Sequence, residues 1–271
     1  MKRFMNRAAV SLVVAGLGLG GTVQAAPVSW TASGTPAGLA ATATATFSLS
    51  GSSLTIDLAA SGGGAGDYGP GSALTGLFFD LGTNNLSLNP ASATIPTGSS
   101  IVNASSCNPG PCGGVTNVSG EWGYQNSPGG FGGGAPSSSY GIASSGYLAT
   151  LLPMDIGNFN GGAAGTNLDN PASLDGANLG LLPTGVSLNG GLASTPVIET
   201  TAEFVLTGLP AGFALSDIAN VSFQYGTAFS DTNLPGSPGT GGNQNGAPEP
   251  ATIALLGVGL LGLGYVRHRR R

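Results

Sequence analysis

The stretch ATATATFSLS at residues 41–50 carries a hydroxyl at every second position, with alanine or a larger apolar residue between. A period of two sends alternate side chains to opposite faces of a strand, whereas a helix needs apolar residues three and four apart. SSLTIDLAA at 52–60 repeats the alternation around a Gly-Ser turn, so the two stretches predict a hairpin. SALTGLFFDLG (72–82), NLSLNPASATI (85–95), GYLATLLPM (146–154), TPVIETTAEFVLTGL (195–209) and IANVSFQYGTAF (218–229) predict further strands. Outside the two chain ends no window has a helical period. Short strands broken by Gly, Pro, Asn and Ser clusters predict an all-β fold, an antiparallel β-sandwich over residues 26–229.

Residues 103–145, with CNPGPC, EWGYQNSPGGFGGG and PSSSYG, and residues 155–193, with DIGNFNGG and NLDNPASLDGANLG, predict long Gly-rich loops. Loops of such length are either functional or mobile, and this composition favours mobility. The run SDTNLPGSPGTGGNQNG at 230–246 predicts a flexible linker.

Charge narrows the function. Lys2, Arg3 and Arg7 stand at one end and Arg267, Arg269, Arg270 and Arg271 at the other. Between Ala8 and Val266 there is no Lys, Arg or His, while all twelve carboxylates lie in that span. A domain without cations cannot neutralise phosphates, so nucleic acid is excluded as a partner. The single histidine, His268, belongs to the basic tail, which removes the imidazole that Ser-His-Asp or Cys-His catalysis needs. No spacing brings two carboxylates into one cleft, as glycoside hydrolysis requires. The reading is a protein that is not an enzyme, with no cofactor and no metal.

The ends carry addresses. A basic start, an apolar run from Ala8 to about Leu19 and the small-residue sequence VQA describe a signal peptide over residues 1–25, cleaved after Ala25, with a cut after Ala26 disfavoured by Pro27. At the other end, residues 251–266 form an uncharged apolar run. As a helix it spans roughly 24 Å, against a hydrocarbon core of about 30 Å. The tail at 267–271 resists translocation, which fixes that end in the cytoplasm and makes the run a single transmembrane helix.

Pro248, Glu249 and Pro250, followed by the Gly/Leu-rich run and the arginine cluster, resemble the PEP-CTERM sorting signal of exopolysaccharide-producing Gram-negative bacteria. The resemblance covers residues 247–271. It implies recognition of the PEP tripeptide by exosortase, a membrane-embedded transpeptidase, then removal of the helix and passage to the cell surface or extracellular matrix. It also implies inner-membrane anchoring before processing and association with exopolysaccharide or biofilm. LTGLFFDLG, LSLNPASA and FVLTGLPAGFALSDIANVSFQYGTAF resemble parts of other PEP-CTERM surface proteins, a group without a settled activity.

Three further features have two readings each. Cys107 and Cys112 enclose NPGP and form either a disulfide, favoured by export, or two free thiols. Trp122 and Tyr124, beside Glu121, either stack on sugar rings or pin the long loop onto the sheets. Asp155, Asn158 and Asn160, or Asp169, Asn170, Asp175 and Asn178, are either calcium ligands or turn residues; neither stretch has a recognised calcium-loop pattern. GGGAGDYGP (62–70) occurs once, so it lacks the repetition of a calcium-binding nonapeptide.

Overall fold

The computed structural model describes residues 25–82, 86–131, 136–146, 157–159, 168, 174 and 176–239. Its strands are β1 (Val28–Gly34), β2 (Ala41–Ser50), β3 (Ser53–Ser61), β4 (Asp67–Tyr68), β5 (Leu74–Leu81), β6 (Asn89–Thr94), β7 (Ser100–Val102), β8 (Gly123–Asn126) and β9 (Tyr140–Ala143). They continue with β10 (Gly157–Asn158), β11 (Leu181–Leu182), β12 (Ser187–Leu188), β13 (Val197–Glu199), β14 (Thr201–Thr207), β15 (Ile218–Tyr225), β16 (Asn233–Pro235) and β17 (Ser237–Pro238). Only short 3₁₀ turns interrupt them among the described residues.

The alternation of β2 and β3 does what a period of two demands. The pair is antiparallel from Thr42↔Ser61 to Ser50↔Ser53, closed by Gly51 and Ser52, with Gly51 in the left-handed region that a two-residue turn requires. Ala43, Ala45, Phe47, Leu54, Ile56 and Leu58 are fully buried, and the hydroxyls between them face outward. These strands belong to a six-stranded sheet in the order β17-β1-β2-β3-β14-β6. On its outer face Ser29 bonds Thr46, Thr31 bonds Thr44 and Ser33 bonds Thr42, a ladder of hydroxyl pairs at 2.9–3.2 Å.

A second, nine-stranded sheet runs β10-β8-β9-β5-β11-β13-β7, with β15 pairing β5 and β16 pairing β15. The apolar strand β5, LTGLFFDL, lies in its interior, paired to β9, β11 and β15. Both sheets are open. Their inner faces meet in one core, where the Phe47 and Phe79 rings cross edge-on with centroids 5.6 Å apart and Trp122 meets Phe204 at 4.8 Å.

Four expectations are corrected. The sheets are not wholly antiparallel, because β11 runs parallel to β13 and β12 parallel to β4. TPVIETTAEFVLTGL is two strands: Thr200 takes φ +81°, and the chain leaves the nine-stranded sheet as β13 and joins the six-stranded one as β14. Residues 103–145 are not one long mobile loop, since β8 and β9 lie within them and bury Tyr124, Tyr140 and Ile142. Residues 233–238, expected as flexible linker, pair with β15 and β1. The strand expected at 146–154 lies outside the described residues except for Gly146.

Candidate functional site

Trp122 and Tyr124 stand where β8 enters the nine-stranded sheet, paired to β9 through Tyr124↔Ile142. Both rings are buried, Trp122 against Phe204 and Tyr124 roughly parallel to Tyr140. A sugar ring needs an exposed aromatic face, so the expected glycan contact at these two residues is overturned. Burial is also the main reason that the Tyr124 hydroxyl titrates well above its ordinary value, and Tyr140 adds to the shift. Glu121 is buried too, and its carboxylate accepts the Leu168 backbone N–H. The cluster anchors its loop.

Cys107 and Cys112 are joined in a disulfide with Cα atoms 5.7 Å apart. The Cys112 N–H donates to the Ala104 carbonyl at 2.9 Å, and Asn103 donates its amide to the carbonyls of Leu192 and Thr195. The bridge tightens a surface turn rather than framing a cleft. Ala25 and Ala26 are exposed, immediately ahead of β1. Pro248, Glu249, Pro250 and the arginines at 267–271 lie outside the described residues, as do Asp155, Asn160, Asp169, Asn170 and Asp175. Among the described residues no three His, Cys, Asp or Glu side chains gather where a metal could sit, and no helix is long and apolar enough to cross a membrane. The expected helix at 251–266 is outside them.

Two carboxylates that the sequence left unpaired are neighbours. Asp57 on β3 and Glu203 on β14 stand directly opposite in register on the outer face of the six-stranded sheet. That face is a plain strand surface flanked by Thr46 and Thr94, without the enclosure that acid–base chemistry needs.

A concavity lies at the seam between the sheets, with a volume of about 470 Å³. Trp30, Pro136 and Pro235 wall it, and Asn220, Ser222 and Asn233 line it with polar groups. Trp30 is partly buried at the margin of the core. A bulge in β15 gives Asn220 its left-handed φ of +50° and places its amide 2.7 Å from Asp80. Gly236 brings the two sheets together, because a Cβ there would sit 3.0 Å from the Val221 carbonyl and 3.1 Å from the Phe223 ring. Sequence reasoning missed this site. Its signal is VSWTASG at 28–34, an alternating stretch with one tryptophan. A smaller cavity of about 140 Å³ is lined by Val102, Leu182, Val186, Leu188 and Val197, with Glu199 at its rim. Hydrogen bonds from the Thr184 side chain first, then from the Gly185 backbone and Ser100, hold Glu199 below its ordinary value.

An all-β domain of two packed open sheets thus precedes the basic-tailed terminus. Residues 247–271 match the family model of the PEP-CTERM protein-sorting motif, so the chain carries that sorting signal at its C-terminus. The resemblance seen in Pro248–Glu249–Pro250 is borne out. No curated protein and no solved structure matches the chain.

Proposed function

We propose that this chain is a non-enzymatic exported protein, anchored in the inner membrane by residues 251–266 until exosortase cuts it at Pro248–Pro250, and then displayed at the cell surface or in an exopolysaccharide matrix. The observation that carries this reading is the sorting motif at 247–271. The domain's lack of Lys, Arg and His supports a displayed rather than a catalytic role. Deleting Pro248 to Pro250 should hold the protein in the inner membrane with its C-terminal peptides intact, whereas the unaltered chain should be recovered outside without them. Cell fractionation with intact-mass measurement reads both. Normal surface release of the deletion variant would refute exosortase sorting.

A further inference from the structure

The seam groove combines an aromatic wall, side-chain amides and a buried hydroxyl. Ser222 is 7% exposed, and its Oγ has no hydrogen-bond partner although the residue lines the groove. A buried hydroxyl in that state keeps bonding capacity that a ligand or a water can take up. The volume falls in the range of about 300–1,000 Å³ that holds small ligands.

We infer that the groove binds a neutral carbohydrate, a hexose unit of an uncharged polysaccharide, laid against Trp30 with its hydroxyls toward Ser222, Asn220 and Asn233. A pyranose pairs an apolar C–H face with a rim of hydroxyls, which is what an indole beside amides and a serine can satisfy together. The charge pattern selects the neutral class. No cation lies between Ala8 and Val266 to meet a uronic acid or sulfated sugar, and Asp80 stands directly behind Asn220. The inference deepens the matrix reading and rests on it for where the sugar is met, while binding in solution is independent of sorting.

Fluorescence isolates the site, because the chain has two tryptophans and Trp122 is fully buried. Full-length protein in detergent micelles is titrated calorimetrically with uncharged hexaoses of glucose, mannose and galactose, and with a uronic acid hexamer. At least one neutral hexaose should bind saturably and shield Trp30 from acrylamide quenching, and the acidic hexamer should not. Trp30→Ala should weaken binding at least about tenfold. Trp30 also packs on the core margin, so Ser137→Leu provides a second variant at an exposed position on the groove rim. It should cause the same loss with an unchanged melting temperature. Ser222→Ala should keep the fold and lose affinity several-fold. Absence of neutral binding, a preference for the acidic hexamer, or binding indifferent to both Trp30→Ala and Ser137→Leu would overturn the assignment. A variant that binds sugar but stays in the membrane speaks against the sorting reading alone; a protein that reaches the surface and binds no sugar speaks against the groove alone.

Discussion

Asp57 shows how a face without cations carries its acids. Its side chain stands in register with Glu203, and like charges directly opposite on neighbouring strands disfavour the sheet. Burial lifts the Asp57 carboxyl above its ordinary value. With the folded value above the unfolded one, the native state holds the proton more tightly. Stability is therefore lost as pH rises through the folded value and regained below it. Asp57→Asn should stabilise the fold at neutral pH by about 0.5 kcal/mol, on the scale of cross-strand charge pairs, and raise the melting temperature accordingly. The gain should vanish toward about pH 4, the ordinary Asp value, which thermal melts over a pH series would detect. Other acids are satisfied locally: Asp80 takes the Ser139 N–H and the Asn220 amide, and Asp231 takes the N–H groups of Thr227 and Ala228. At this scale the sequence showed which residue types were present but not which way they faced. Trp122 looked like a sugar platform because of its neighbours in sequence, and it is inside because of Phe204, more than eighty residues further along.

Strands with clean alternation were legible to within a residue or two, as β2 and β3 are. Strands built from glycine and aromatics were not. β8 reads GYQN and β9 reads YGIA, buried on both faces, so no polar side of the sheet marks them. In β9, Gly141 is a packing residue: a Cβ there would come within 2.9 Å of the Phe78 and Phe131 rings. Nor does period two reveal where a strand changes sheets. That happens at Thr200, whose hydroxyl bonds Ser99 at 2.6 Å while its backbone N–H reaches Leu182 and its carbonyl accepts from Ala60. A β-branched residue at positive φ is strained by about 1–3 kcal/mol, so the corner is held by those bonds. Thr200→Val, which keeps the strain and loses the hydroxyl, should cost about 1.5 kcal/mol. Thr200→Gly loses the same bond but relieves the backbone and should be close to neutral. Urea unfolding of the pair separates the two effects.

For the whole molecule, β16 and β17 decide how the sheets are joined. β16 pairs β15 in one sheet, Gly236 crosses the seam, and β17 pairs Trp30 and Thr31 of β1 in the other. Leu234 fills the space that Gly34 leaves open. Chains ending at residue 239 should therefore melt as the full domain does, whereas chains ending at 232 should melt lower and expose Trp30 to quencher. Calorimetry with acrylamide quenching distinguishes the two truncations. The composition of 230–246 hid this, because Gly, Pro, Asn and Ser serve an edge strand at a crossing as readily as a linker. Only residues 239–246 then separate the last strand from Ala247, a reach of at most roughly 30 Å.

The pairing of the first strand with the last also sets an order in time. On an exported chain that emerges N-terminus first, Trp30 is among the earliest residues outside and Pro238, its partner, among the latest. Under the proposed export the seam would stay open until Gly239 had cleared the membrane, and the sorting signal begins eight residues behind it. Under the proposed sorting, completion of the domain and arrival of its address label would fall together in the chain's passage, so the processing enzyme would meet a protein that has just become able to close.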